Sequence, residues 1–241
     1  MNKISKNDTV QPNSAEELKV LIKVEIKQRG NRCDLNHIDV SRISDFSQLF
    51  LGSTFNGDIS KWDVSGAKNM FGIFWGSVFN GDISRWNVSG VERMDSMFSI
   101  SKFNGDVSTW DVSGVLTMGD MFYGAKFNGN ISSWDVSGVK NMNGMFYNAK
   151  FNGDISRWDV SGVTDMRCMF YLSGFYGDIS TWERQSVSSD DEMFFESEIA
   201  KKLGTESPSF DQVKSHFLSF KLEADLQCAL PRQNQILKVR L

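Results

Sequence analysis

The sequence predicts an α/β repeat solenoid whose 24-residue rungs each hold a short parallel strand and a short helix or 3-10 turn, with helical caps at both ends. Phenylalanine recurs at this period without drift, at Phe55, Phe79, Phe103, Phe127, Phe151 and Phe175. Tryptophan follows seven residues later, at Trp62, Trp86, Trp110, Trp134, Trp158 and Trp182. A fixed period of this length is typical of chains that stack rung on rung.

The N-terminal region predicts a flexible segment at 1–13 and a helical cap at 14–37. Ser14 followed by Glu17 reads as a capping box. Leu18 and Ile22 then fall at helical spacing, and Gly30 is suited to closing the helix. We therefore expect a helix at 15–29 whose apolar face covers the first rung.

Residues 38–198 form the predicted solenoid, built from the unit F-N-G-D-I-S-x-W-D-V-S-G-V-x-x-M-x-x-M-F. The turn signal at 80–81 precedes 83–86, where Ile and Trp favour a strand. The apolar residues of 91–98 fall on one face of about two helical turns and favour a short helix. This order resembles the leucine-rich-repeat plan, with Phe, Trp and Met in the apolar positions.

The C-terminal region, 199–241, predicts a second helical cap and a tail. Ser209 and Gln212 form a capping box, and Pro231 is expected to end the helix. The tail at 236–241 alternates apolar and basic residues, which favours an edge strand.

Charge and cysteine content limit the kind of partner and compartment. Residues 34–198 contain 22 acidic and 12 basic residues, a net charge of −10, although the whole chain carries only −4. An acidic surface disfavours nucleic acid and favours a basic protein partner. Three cysteines without close spacing predict neither a disulfide framework nor a zinc site. No secretory signal or membrane span is recognised, so we expect a cytoplasmic protein without membrane insertion.

Two acidic columns follow the repeat, one residue after the Asn-Gly turn and one residue after tryptophan. They are Asp58, Asp82, Asp106, Asn130, Asp154 and Asp178, and Asp63, Asn87, Asp111, Asp135, Asp159 and Glu183. Stacked carboxylates are one arrangement that ligates calcium. Each column also accepts Asn, which keeps the acceptor oxygen without the charge, so a turn-forming role is favoured.

No constellation for catalysis is found. The two histidines, His37 and His216, have no partner pattern for a triad, and the glycines do not form a phosphate-binding motif. We expect no catalytic residues, no cofactor and no metal.

Two variable columns are candidates for partner binding. The residues before tryptophan should point outward from the predicted strands: Lys61, Arg85, Thr109, Ser133 and Arg157. The residues that directly follow the last phenylalanine of the repeat unit include Trp75, Tyr123, Tyr147 and Tyr171. Their aromatic side chains are suited to anchoring a partner. Both columns can equally be plain surface, with the aromatic residues covering the turns.

The repeated unit closely resembles the bacterial BspA-like repeat, also found in mycoplasmal lipoproteins, over residues 38–195. The resemblance implies a non-enzymatic, leucine-rich-repeat-like solenoid used for binding, often in surface adhesion. The leading hypothesis from the residues is a protein-binding scaffold, monomeric outside its complex. Its sharpest form is an immunity or antidote protein that neutralises a basic nuclease toxin. The alternative is an adhesin or host-directed effector exported without a classical signal peptide.

Overall fold

A computed structural model describes residues 9–183 and 190–238, with side chains up to residue 226. These residues contain three helices: α1, Ala15–Arg29; α2, Glu198–Leu203; and α3, Phe210–Lys238. Between α1 and α2, the described chain consists of turns and isolated bridges that repeat every 24 residues.

Helix α1 confirms the helix predicted at 15–29. Ser14 Oγ accepts the N–H of Glu17 at 3.2 Å, and the Glu17 carboxylate accepts the N–H of Asn13 at 2.8 Å. These bonds satisfy two donors at the start of the helix. Leu18 and Ile22 are buried in the hydrophobic core. The helix therefore closes the apolar end of the stack.

The predicted strand-and-helix rung is wrong. The described residues contain no β-strand, and no helix lies in the described repeats before α2. Pairing between rungs is limited to isolated parallel bridges, such as Arg93 with Thr117 and Thr117 with Asn141. An α/β leucine-rich-repeat-like solenoid is therefore not the architecture of this chain.

The strand predicted in each rung does not form, because the chain makes hydrogen-bonded turns in close succession. Trp110 N–H donates to the Val107 carbonyl at 3.2 Å, and Val115 N–H donates to the Val112 carbonyl at 2.9 Å. Two such turns within nine residues leave no extended run that can pair as a strand. We call this part of the rung, residues 104–114 and their equivalents every 24 residues, the Asx corner.

The short helix predicted in each rung does not form, because the N–H groups of this segment donate in two directions. In residues 117–125 and their equivalents, which we call the turn ladder, alternate N–H groups donate to the next rung. The bonds are Met118 to Asn141, Asp120 to Asn143, Phe122 to Met145 and Gly124 to Tyr147, at 2.7–2.9 Å. The N–H groups of Met121, Tyr123 and Ala125 instead close turns three residues back, at 3.0–3.2 Å. An α-helix would need every one of these donors for bonds within itself.

Two positions of the turn ladder have positive φ in every rung. In the central rung they are Asp120 at 54° and Gly124 at 59°. Each is the third residue of a hydrogen-bonded turn, where the type II geometry requires positive φ. The two columns are Gln48, Gly72, Ser96, Asp120, Gly144, Cys168 and Glu192, and Gly52, Gly76, Ile100, Gly124, Asn148, Leu172 and Glu196.

The core consists of the aromatic and methionine columns, as predicted. Phe98 stacks on Phe122 with ring centroids 5.7 Å apart, and Phe103 stacks on Phe127 at 6.4 Å. Trp110 is only 4% exposed. Its indole N–H donates to the Ile83 carbonyl of the preceding rung at 3.1 Å. Each large ring thus buries apolar area against two neighbouring rungs.

The C-terminal end is closed by α2 and α3. Phe210 and Val213 of α3 enter the core. Lys214 Nζ lies 2.9 Å from the Glu183 carboxylate, and Lys221 Nζ lies 2.8 Å from that of Asp178. The predicted capping box forms, because Ser209 and Gln212 exchange bonds of 2.7 and 3.2 Å.

Two details of the C-terminal prediction are wrong. Helix α3 continues through Pro231 to Lys238 instead of ending at the proline. The edge strand predicted at 236–241 is helix as far as Lys238, and residues 239–241 lie outside the described part of the chain.

Candidate functional site

The column before tryptophan is exposed, as predicted, but it lies on the Asx corner and not on a sheet face. Its members are Lys61, Arg85, Thr109, Ser133 and Arg157. Thr109 Oγ1 donates to the Ser84 carbonyl at 3.1 Å, and Ser133 Oγ donates to the Ser108 carbonyl at 3.0 Å. The hydroxyl members therefore tie adjacent rungs together, whereas the long basic members extend beyond the turn.

The two acidic columns flank that column in each rung, and their turn-forming role is confirmed. Asp106 Oδ1 accepts the N–H of Ser108 at 2.9 Å, and Asp111 Oδ1 accepts the N–H of Ser113 at 3.1 Å. The Asn members do the same, since Asn130 Oδ1 accepts the N–H of Ser132 at 3.0 Å. The Asp and Asn members of both columns thus close Asx turns, whereas Glu183 pairs with Lys214.

These hydrogen bonds favour the ionised carboxylates. The backbone N–H of Ser108 lowers the pKa of Asp106, and the Ser113 side chain, followed by its N–H, lowers the pKa of Asp111. The pKa of Asp135 is lowered in the same way by Ser137. These three carboxylates are therefore ionised at neutral pH.

In the two middle rungs the Asx corner contains acidic residues but no basic residue. Their carboxylates are Asp106, Asp111 and Asp135, and the residues between them are the neutral Thr109 and Ser133. Basic residues occupy the same column in the flanking rungs, at Lys61, Arg85 and Arg157. We call the five central residues the acidic centre.

The second predicted column forms a ladder of stacked rings. Ring centroids are 4.8 Å apart for Tyr123 and Tyr147, 4.6 Å for Tyr147 and Tyr171, and 4.8 Å for Tyr171 and Phe195. All four rings are half-buried. Burial raises the pKa of Tyr147, and burial followed by the charge of Glu192 raises the pKa of Tyr171. The stacked rings thus form an apolar surface that has an acidic side chain close to it.

Trp75 belongs to the same column but stands apart from the ladder. Its ring meets the Phe71 ring edge-on at 6.5 Å, and the Arg93 guanidinium lies 4.6 Å from the Phe71 centroid. Ser99 occupies the position between Trp75 and Tyr123 and is buried.

Sequence reasoning missed two exposed apolar residues beside this column. Ile100 is 56% exposed and Leu172 is 41% exposed. Both occupy a positive-φ position at which Gly52, Gly76 and Gly124 stand in other rungs. The available signal was a branched side chain in a column otherwise rich in glycine.

The C-terminal end of the described chain also contains a cleft. A cleft of about 590 Å³ is lined by Leu203 and Thr205 on one side and by Gln212, His216 and Ser219 of α3 on the other. His216 Nε2 lies 3.2 Å from the Tyr176 hydroxyl. In the described chain, no three His, Cys, Asp or Glu side chains are grouped to hold a metal ion. None of the described helices has the length and apolarity needed to cross a bilayer.

Stacked 24-residue rungs with common hydrogen-bond columns define a repeat protein. The family described as Mycoplasma protein of unknown function, DUF285, matches residues 24–126 and again residues 99–206. These matches cover more than half of the chain, and the chain belongs to this family. Two overlapping matches also confirm the repeat predicted from the sequence. No curated protein and no solved structure matches the chain.

Proposed function

We propose that the protein is a non-enzymatic binding protein that holds a basic protein partner on its acidic repeat surface. The observation that carries this proposal is the acidic centre, where three ionised carboxylates lie on adjacent rungs without a basic residue between them. Like charges aligned along a surface add their potentials and speed the encounter with a partner of opposite charge.

The carboxylates of the acidic centre remain able to bond a partner. Asp106, Asp111 and Asp135 use Oδ1 for the Asx turn, and no described residue bonds to their Oδ2 atoms. The turn also fixes the side chain before any partner arrives, which reduces the entropy lost on binding. A lysine or arginine can therefore pair with Oδ2 without disturbing the turn.

The sharpest form of the proposal is an immunity or antidote protein. A nuclease toxin needs a basic surface to hold nucleic acid, and an acidic repeat surface competes for that same surface. The protein then acts in the cytoplasm, as a monomer until it meets the toxin. Nucleic acid itself is repelled by the carboxylate columns.

The repeated motif also supports a finer relationship within the family, to BspA-like repeats. That relationship supports the alternative role of an exported adhesin or host-directed effector. Fractionation of expressing cells separates the two roles. Protein recovered in the medium or on the cell surface favours export, and protein confined to the cytosol favours the antidote.

The test is affinity capture from a lysate of the source cells, using the full chain as bait at low and at raised salt. The comparison bait carries Asp106→Asn, Asp111→Asn and Asp135→Asn, which keep the Asx acceptor and remove three charges. The matched control removes three exposed charges outside the repeats, by Glu16→Gln, Glu206→Gln and Glu223→Gln.

We expect the wild type and the control to capture the same basic protein, and the triple Asn bait to lose it. Raised salt should weaken that capture, because the attraction is between exposed charges. Equal capture by all three baits, or capture indifferent to salt, would show that the acidic centre is not the binding surface.

A further inference from the structure

An exposed apolar band runs along the turn ladder, on columns separate from the acidic centre. It consists of the aromatic ladder with its apolar neighbours, and we call it the aromatic strip: Trp75, Ile100, Tyr123, Tyr147, Tyr171, Leu172 and Phe195. Ile100 and Leu172 expose about half of their surface, and the five rings are half-buried. Apolar and aromatic side chains exposed along one face of a protein with an acidic repeat region are a feature of interaction surfaces.

The backbone at Ile100 is strained, and its side chain is exposed. Its φ is 55°, a left-handed value that is rare for a β-branched residue. Gly52, Gly76 and Gly124 take the same backbone conformation in other rungs without that cost. Strain kept at an exposed position indicates a role that packing alone does not explain.

An aromatic ring next to the strip already contacts an arginine. At its N-terminal end the Arg93 guanidinium lies 4.6 Å from the Phe71 ring, and Phe71 touches Trp75 edge-on. A guanidinium stacks on aromatic faces and pairs with carboxylates at the same time. Arg93 does both, because its Nε lies 2.9 Å from Asp95.

Carboxylates stand beside the strip at two levels. Asp120 belongs to the rung of Tyr123, and burial followed by the charge of Asp95 raises the pKa of Asp120. Glu192 lies three rungs further along, in the rung of Phe195. After burial, its charge contributes to the raised pKa of both Tyr147 and Tyr171. The stacked rings from Tyr123 to Phe195 are 4.6–4.8 Å apart from rung to rung, so three rungs span about 14 Å.

We propose that the aromatic strip docks an extended segment of the partner protein that carries two arginines four residues apart with apolar residues between them. An extended chain rises about 3.4 Å per residue, so arginines at i and i+4 are separated by the same 14 Å as the two carboxylate levels. The intervening apolar side chains lie against Tyr147 and Tyr171. This inference rests on the proposed function and adds the second contact surface and the partner motif.

The experiment is a titration of the full-length protein with three labelled peptides, followed by fluorescence anisotropy and by the Tyr ring signals in NMR. The probe contains Arg-Leu-Ser-Leu-Arg. One control replaces both arginines by citrulline, which keeps the shape and removes the charge. The other moves the arginines to i and i+2. We expect the probe to bind about tenfold more tightly than either control.

Protein variants locate the contact. Tyr147→Ser with Tyr171→Ser should lower probe affinity about tenfold, and Ile100→Gly should lower it about threefold while the thermal midpoint stays level or rises. Tyr147→Phe keeps the ring and should bind as the wild type does. If the double variant fails to fold, Ile100→Gly still tests the strip, because a glycine already occupies this backbone conformation in other rungs. Glu16→Gln, which is exposed and outside the repeats, should leave affinity unchanged.

Equal binding of the citrulline peptide, or of Ile100→Gly and the folded double variant, would overturn the strip as an arginine-reading surface. The capture experiment keeps the two proposals distinguishable. A partner captured equally by the wild type and by the Tyr147→Ser, Tyr171→Ser bait overturns the strip and leaves the acidic centre standing. If only the triple Asn bait loses the partner, the strip is likewise overturned and the acidic centre is supported.

Discussion

The two halves of each rung hold their shape by different means. In the Asx corner, side chains supply the bonds: Asp111 closes a turn, Asn80 accepts the N–H of Asn104 at 2.7 Å, and Trp110 reaches the preceding rung. In the turn ladder, backbone groups bond to backbone groups across rungs, as Asp120 N–H does with the Asn143 carbonyl.

This difference explains why the turn-closing positions of the Asx corner repeat strictly, whereas the outward positions of the turn ladder vary. A side chain that closes a turn or bridges two rungs tolerates few replacements. A backbone bond is indifferent to the side chain it carries, so the outward positions of the turn ladder accept Gly, Ser, Asp, Cys and Glu. The turn ladder is therefore the half that is free to carry a binding surface.

The largest test of this comparison removes a side chain that bridges rungs. Trp110→Ala should lower the free energy of unfolding by about 3–5 kcal/mol, because it leaves a cavity and removes the bond to the Ile83 carbonyl. Urea unfolding measures the loss. Thr109→Ala, next to it but exposed, should cost less than about 1 kcal/mol. Similar losses from both would show that tryptophan does not hold the corner.

A second test uses pH. The pKa values of Asp63, Asp111, Asp135 and Asp159 are lowered in the folded protein by Ser hydroxyl and N–H groups two residues on. Their contribution to stability is present above the unfolded pKa of about 3.9 and is lost as pH falls through the lowered values. We expect thermal midpoints to fall steadily below about pH 5.

The control for the pH test is the variant in which Asp111, Asp135 and Asp159 are all replaced by Asn. Because Asn does not titrate, its midpoint should fall less steeply over the same acid range. Parallel curves for the variant and the wild type would show that the acid sensitivity arises elsewhere in the chain.

A third test separates the turn-closing oxygen from the charge at one residue. Asp111→Ala removes the acceptor for Ser113 and should cost about 1 kcal/mol in chemical unfolding. Asp111→Asn keeps the acceptor, as Asn87 does one rung earlier, and should cost less than half of that. If Asn proved as costly as Ala, the charge and not the hydrogen bond would be the stabilising feature.

The smallest expected effect is in the turn ladder. Ile100→Gly should raise stability by up to about 1 kcal/mol, because relief of the left-handed strain exceeds the added freedom of the unfolded chain. Gly124→Ala, at the equivalent position with φ of 59°, should lower stability by about 1 kcal/mol. Differential scanning calorimetry of the pair gives both signs. A marked loss in Ile100→Gly would mean that its contact beside Gly124 stabilises the fold.

The sequence was sufficient for the parts of the fold that depend on side chains. The buried rings, the Ser14 cap of α1 and the turn-closing carboxylates all follow from residue type and spacing. The exposure of Thr109 and Ser133 was also foreseen, because they alternate with the buried tryptophans.

The turn ladder could not be predicted in this way. Val115, Met118, Met121 and Phe122 have helical spacing, but that spacing reports only which side chains are buried. It does not report that Met118 N–H bonds to the Asn141 carbonyl of the next rung. For the same reason the strained, exposed Ile100 was missed, since its backbone is set by neighbouring rungs and not by its own residue type.

Four cross-rung bonds of the turn ladder run from N–H in one rung to C=O in the next, and the bond from Thr117 N–H to the Glu92 carbonyl runs back to the preceding rung. Because the same bonds recur at the period of the repeat, each rung presents a common set of donors and acceptors to its neighbours. Whole 24-residue units can be duplicated or deleted without disturbing the joints, so the length of the protein is adjustable in fixed steps. Proteins descended from one gene can thus differ in length while they keep the same architecture.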